Sequence, residues 1–165
     1  WRGMQMTGGR RIKRSIYIDV TSIKLCTEEM LNKFEKFYLI HDYIKNKRTE
    51  IAAYNANLNA DLNEIINGRR LTNIGTFRAY LKAYLRKRKD VHNNLTFLVR
   101  HLAPGPTGLP VEIYVFANTT EWALYEDIQA EIFDHIFAVI PEFDLRVFQH
   151  PTSSDIRSLS LPEDN

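Results

Sequence analysis

Residues 109–149, LPVEIYVFANTTEWALYEDIQAEIFDHIFAVIPEFDLRVFQ, change hydrophobic period twice, which commits the chain to layers of sheet and helix. Val111, Ile113, Val115 and Ala117 alternate with Glu112, Tyr114, Phe116 and Asn118, the period of two of a strand with one covered face. From Trp122 the spacing becomes three or four. Tyr125, Ile128, Ile132, Ile136 and Val139 form a stripe that Phe133, Phe137 and Ile140 widen, so a helix lays a broad apolar face on something flat. Asn118, Thr119 or Thr120 is placed to cap its free amides, and Glu121 puts negative charge at its start. Pro141 ends it, and residues 145–148 are predicted to form another strand.

The first half supplies a matching set. Ile12, Ile16, Ile18 and Val20 share one face of a predicted strand over residues 12–20, with the basic run RRIKR at its mouth. A solvated strand end is the plain reading of that run; contact with an anionic surface or a neighbouring subunit is the functional one. Residues 1–11, with three glycines, read as a linker. Thr27 followed by Glu28 and Glu29 marks a helix start, continued by Met30, Leu31, Phe34, Phe37 and Tyr38. Residues 39–93 lack a strand pattern and are predicted to be a mostly helical insertion, with a helix from about Thr76. In that helix Arg78, Lys82, Arg86 and Lys89 make a basic stripe, more economically the wet side of an amphipathic helix than a track for phosphates. Residues 95–100 alternate as a strand, and the prolines and glycines of residues 103–110 turn the chain. Residues 152–165 are polar and nonperiodic and are expected to be loosely held.

With the insertion set aside, the order is strand, helix, strand, strand, helix, strand. That order predicts an α+β fold, a ferredoxin-like βαββαβ sandwich over residues 12–151. Tyr17, Phe97 or Leu98, Tyr114 or Phe116, and Phe148 fall on the sheet face away from the helices, so the insertion or another subunit is expected to cover it.

Catalytic constellations are not evident. The five histidines are scattered without metal-ligand spacing, and Cys26 is the single cysteine, which excludes an internal disulfide or a cysteine zinc site. No phosphate loop or nucleophile elbow is present; neither enzyme activity, a cofactor nor a metal is expected. With 22 Lys and Arg against 20 Asp and Glu, the overall charge gives no reason to expect nucleic acid. The third strand lacks the basic-glycine-aromatic signature of RNA-recognition modules, so no nucleic-acid partner is expected. No run of about 18 apolar residues occurs. Trp1 in the first position is taken to mark a fragment of a longer chain.

Four phrases carry a resemblance: WRGMQMTGGRRIKRSIYIDVTSI, GRRLTNIGTFRAYL, APGPTGLPVEIYVFANTTEWALYEDIQAEIFDHIFAV and EFDLRVFQHP. Over about residues 1–157, with residues 38–67 the vague part, the chain resembles the cytoplasmic C-terminal region of the YbdG-like, miniconductance branch of the MscS superfamily of mechanosensitive channels. The resemblance implies a bacterial inner-membrane parent whose transmembrane helices and small β domain lie upstream. It also implies a homo-oligomeric cage on the cytoplasmic side, usually seven-membered, below a tension-gated pore that releases ions and small solutes in hypoosmotic shock. The pore-lining residues would lie upstream. Within the matching phrases Arg10, Arg11, Arg14, Arg69, Arg70, Asn73 and Arg78 are the candidates for subunit or domain contact coupling cage to membrane part. The alternative is a soluble ferredoxin-like binding module for nucleic acid or a small regulatory ligand.

Overall fold

The computed structural model describes residues 8–159. Residues 1–7 of the expected linker lie outside that range, while Arg10 and Arg11, expected to belong to it, begin a strand. Three strands, β1 (Arg10–Ile18), β2 (Leu98–His101) and β3 (Leu109–Ala117), form one antiparallel sheet in the order β1-β3-β2. The chain is thus a mixed helix-and-sheet fold. Its register sets Ile12 opposite Val115, Ile16 opposite Val111 and Val99 opposite Ile113, which puts these side chains on one face. All six are buried, as are Ile18, Leu109 and Ala117.

Each boundary has a local cause. β1 stops two residues earlier than expected because Asp19 accepts from the backbone N–H and hydroxyl of Thr21 at 2.9 and 2.7 Å, starting a tight turn at Val20–Ser22. β2 starts three residues late: the chain first touches β3 through a Val91–Ala117 bridge, then leaves it until Leu98. Between β2 and β3 the turn closes on two bonds between Gly105 and Gly108, each 3.0 Å. Gly108 has φ of +95°, and a Cβ there would lie 2.5 Å from the Ile18 carbonyl oxygen. Gly108→Ala is therefore expected to lower stability by about 1–3 kcal/mol, measured by urea unfolding, whereas Gly105→Ala, which meets nothing within 4 Å, should be near neutral.

Helix α1 (Glu28–Glu35) is capped as expected, Thr27 Oγ1 accepting from the Met30 N–H at 3.2 Å. Helix α2 (His41–Asn55) and helix α3 (Asn73–Lys87) follow, making more than half of residues 39–93 helical, while residues 56–72 between them are not. α3 begins at Asn73, not Thr76, because Thr72 is its cap and accepts from the Gly75 N–H at 3.1 Å. Although α3 lies within residues 39–93, its Phe77, Leu81 and Leu85 are fully buried and it forms a core layer on the sheet.

Helix α4 (Trp122–Val139) buries Ile128, Ile132, Phe133 and Ile136, the stripe read from the sequence. Its expected cap is not made: Glu121 holds the cap position without a side-chain bond, and Asn118 instead donates to the Lys89 carbonyl at 2.9 Å. A tight turn, Ile140–Phe143, ends in the left-handed residue Asp144, φ 55°. It carries Phe143 into a ring cluster with Phe34, Phe37, Phe77 and Tyr80, centroids 5.3–5.5 Å from its own.

A further expectation is corrected. The strand at residues 145–148 is only a bridge, Val147 to Ile18, because β1 ends at Ile18 and offers no longer ladder. Two backbone bonds of 2.8 Å hold it, Asp19 to Arg146 and Phe148 to Tyr17. Residues 153–158, expected to be loosely held, form a short helix α5 (Ser153–Ser158) whose Thr152 and Asp155 make a reciprocal capping box. The insertion does not cover the aromatic sheet face, where Tyr17 and Leu98 are 43% and 40% exposed; α2 packs beside α1 instead.

Candidate functional site

The seven residues singled out in the sequence fall in two groups. Arg10, Arg11 and Arg14 stand on β1, where alternate side chains face opposite ways. Arg10 and Arg14 point toward α4. The Arg10 guanidinium lies 4.4 Å from the Trp122 ring centre and 4.9 Å from that of Tyr125, and Arg14 lies 4.0 Å from that of Phe133. Tyr125 also donates its hydroxyl to the Arg11 carbonyl at 2.7 Å. These contacts, each worth about 0.5–1 kcal/mol at exposed sites, fasten α4 to the first strand. Arg11 faces the other way, over Tyr114 at 5.9 Å, with Lys13 beside it at 5.6 Å from the same ring. The open sheet face thus carries cations laid on aromatic rings.

The second group surrounds the start of α3. Arg69 is gripped by Asn55, whose side chain accepts from its N–H at 2.8 Å and donates to its carbonyl at 3.0 Å. The Arg69 guanidinium donates to Glu50 at 3.0 Å and holds that carboxyl below its ordinary range. Arg70 donates to the Leu62 carbonyl, while its Nε is enclosed without a partner among the described residues. Together with Arg48 these arginines line a cleft of about 440 Å³ between α1, α2 and residues 69–71. Its charge is largely answered: Arg48 pairs with Glu28 at 2.7 Å and Glu35 at 3.7 Å, and Arg69 with Glu50.

Asn73 differs from its neighbours. It has no exposed surface, and its amide is committed inside the chain: Oδ1 accepts from the Lys24 N–H and Nδ2 donates to the Ser22 carbonyl, both at 2.9 Å. As a contact residue for another subunit it is corrected to an internal brace. Arg78 is partly exposed in the next turn of α3, with its Nε enclosed and unpartnered among the described residues.

A seam between α3 and α4 was not read from the sequence as a unit. Tyr80, Tyr84 and Arg88 recur at four-residue spacing and meet Glu131 and His135. The Tyr80 hydroxyl and His135 Nε2 are 2.7 Å apart, and Tyr84 stacks on the imidazole at 4.2 Å between centres. Arg88 forks onto Asp90 at 2.8 and 2.9 Å and reaches Glu131 at 2.9 Å and the Tyr84 hydroxyl at 3.1 Å. The bonds to Asp90, then those to Glu131 and Tyr84, hold the Arg88 proton more firmly than usual.

Burial, and secondarily the charge of Arg88, lowers the His135 pKa below 6.5. The sign follows: the unfolded chain takes up this proton first, so stability falls as pH drops below about 6.5 and levels off once the folded chain is protonated too. His135→Gln should flatten that dependence in urea titrations between pH 7 and 5.

Burial also raises the Cys26 thiol to about 11, which keeps it protonated and poorly nucleophilic at neutral pH. Among the described residues no three His, Cys, Asp or Glu side chains gather as metal ligands would. No helix among them is long and apolar enough to cross a membrane.

Residues 72–147 match the family model described as "Mechanosensitive ion channel MscS, C-terminal". The matched stretch is just under half of the chain. It opens on the Thr72 cap and closes on Val147, taking in α3, β2, β3, α4 and the final bridge. The match supports the MscS superfamily for this stretch.

Proposed function

We infer that this chain is the cytoplasmic cage domain of a bacterial mechanosensitive channel of the MscS superfamily, in its YbdG-like branch. The parent opens under membrane tension and releases ions and small solutes during hypoosmotic shock. The family match over residues 72–147 carries this reading. The resemblance of the flanking phrases, from the basic run at Arg10 to the end of the matched stretch, extends it to the branch.

In this reading the chain is wall and not catalyst. It assembles as a homo-oligomer, seven-membered as is usual in the superfamily, on the cytoplasmic side of the inner membrane. Its fold is the ferredoxin-like sandwich, supported by the antiparallel order β1-β3-β2 and by the Val147 bridge on the free side of β1. Arg10, Arg11, Arg14, Arg69, Arg70 and Arg78 supply subunit or domain contacts, with Asn73 bracing the turn that presents three of them. Arg69→Ala with Arg70→Ala is expected to shift the tension threshold or weaken assembly; both unchanged, with stability also unchanged, would remove these residues from the proposal.

Expression of the full-length parent in bacteria stripped of their own mechanosensitive channels tests the reading. Survival of an abrupt osmotic downshift should rise by about an order of magnitude or more over the empty vector. Equal death with the protein inserted in the membrane would argue against it.

One observation favours the soluble binding module: two cations, Arg11 and Lys13, lie over the half-buried Tyr114 ring on the open sheet face. Salt-sensitive binding of single-stranded RNA by the chain would support that module, since phosphate contacts weaken steeply with salt.

A further inference from the structure

We propose that the outer face of α4 in one copy of the chain docks against the basic flank of α3 in the next, joining copies head to tail. The whole sequence is near charge balance, 22 Lys and Arg against 20 Asp and Glu, yet the two core helices divide charge by sign. α3 carries Arg78, Lys82, Arg86 and Lys87 and no acid, whereas α4 carries Glu126, Asp127, Glu131 and Asp134 and neither Lys nor Arg. Within one copy the two sets do not meet. Among the described residues only Glu131 of these eight enters an ion pair, and its partner Arg88 lies just past the end of α3. The geometry accounts for this. At about 100° per residue, Arg78, Lys82 and Arg86 stand on the side of α3 opposite Tyr80 and Tyr84, which meet His135 of α4. Asp127 and Asp134 stand opposite the buried row Ile128, Ile132 and Ile136, exposed and facing outward.

Shape matches as well as charge. Beside the cations of α3 runs a groove of about 390 Å³, floored by Leu39, Ile40, Tyr43 and Ala79 and lined by no acid. On α4 the Phe137 ring is 44% exposed, with the small residues Ala130 and Ala138 exposed around it, so it stands out as a knob. Both helices rise about 1.5 Å per residue. With the two antiparallel, Phe137 seated over Ala79 sets Asp134 level with Lys82 and Ala130 level with Arg86, and Asp127 falls within one turn of Arg86. Apolar ring and carboxylates thus meet apolar floor and cations in one register. The two faces are different surfaces, so the contact is heterologous: each copy offers both, and the contact repeats from copy to copy until a ring closes. It rests on the homo-oligomer reading above and names the surfaces that would build it.

The full-length parent in membranes, carrying Ala83→Cys and Ala130→Cys with any upstream cysteine replaced by serine, tests the contact by treatment with a short bismaleimide. Ala83 lines the groove, Ala130 is exposed on α4, and the buried Cys26 does not compete. Because every copy offers both thiols, a ladder of multimers beyond the dimer is expected on denaturing gels, and either single variant should give none. Asp127→Lys with Asp134→Lys should cut the ladder about fivefold or more, the scale of one or two partly exposed ion pairs. Adding Lys82→Glu and Arg86→Glu should restore it, which also shows that the reversed faces still fold. Glutaraldehyde treatment of the same membranes separates the two ways of failing. Multimers with glutaraldehyde but no thiol ladder, or a ladder indifferent to the reversals, would overturn this interface and leave the homo-oligomer standing. No multimers with either reagent would overturn both. A thiol adduct to a different protein in place of the ladder would overturn the interface too, since the faces would then serve another partner.

Discussion

Replacing Phe143 by alanine is expected to destabilise the fold by about 3–5 kcal/mol, the range for removing a large buried ring that its surroundings cannot close over. Phe143 is 1% exposed, and its ring packs against Phe34 of α1, Phe37 just beyond it, and Phe77 and Tyr80 of α3. Collapse is hindered because those four rings are borne by elements already fixed to one another and to the sheet. Urea unfolding of Phe143→Ala should therefore show a much lower midpoint at unchanged slope. Phe137→Ala, 44% exposed on α4, should cost about 1 kcal/mol or less. Equal costs at the two positions would mean that the cluster is not the keystone between the helices and the sheet.

Asn73→Ala carries the second large effect, about 2–4 kcal/mol, because it strands two backbone groups and not only its own amide. The Lys24 N–H and the Ser22 carbonyl would lose their partners, and the weaker contact from Nδ2 to the Asp144 carbonyl at 3.4 Å would go with them. The surrounding strapping shows why water cannot simply replace the side chain. The Asn73 N–H bonds the Lys24 carbonyl at 3.0 Å and the Cys26 N–H bonds the Leu71 carbonyl at 2.8 Å, drawing residues 22–26 against the start of α3. Asn73→Asp should cost at least as much, since a carboxylate would face carbonyl oxygens. Unfolding free energies within 0.5 kcal/mol of the parent for both variants, roughly the scatter of neutral surface changes, would contradict the brace.

The elements legible in the sequence were those whose own side chains decide them. α4 spans Trp122–Val139 because its apolar stripe runs unbroken from Tyr125 to Val139 and Pro141 stops it. β3 follows strict alternation, and α1 follows a threonine cap with two acids. Elsewhere a partner far along the chain sets the outcome. Residues 145–148 have strand composition, but the length of the ladder is decided by Asp19, which turns β1 aside. α3 looked peripheral because its basic stripe and tyrosines mask the narrow row Phe77, Leu81, Leu85 that enters the core. Two local signals were there to be used: Thr72 three residues before Gly75, and the Thr152 and Asp155 spacing of a capping box.

For the candidate site, the density of Arg, Asn and Thr in RRLTNIGTFR indicated polar groups in need of partners. It could not say where the partners are. Asn73 found them inside the chain, Arg69 found Asn55 and Glu50, and Arg78 kept an unanswered Nε. Each outcome depends on which backbone α2 and residues 22–24 bring alongside, information that ten residues of sequence do not hold. The pairing of Tyr80 and Arg88 with α4 was hidden likewise, since four-residue spacing names a helix face but not its neighbour.

The central claim, that this chain walls the cytoplasmic side of a tension-gated pore, is tested most directly by patch recording. The full-length parent would be expressed in bacterial membranes stripped of other mechanosensitive channels, and suction applied in steps. Openings whose probability rises with tension, and whose threshold moves when Arg69 and Arg70 are replaced by alanine, are the predicted result. Silence up to patch rupture, from protein shown to be inserted and assembled, would contradict it and turn attention to the cation-and-ring face of the sheet.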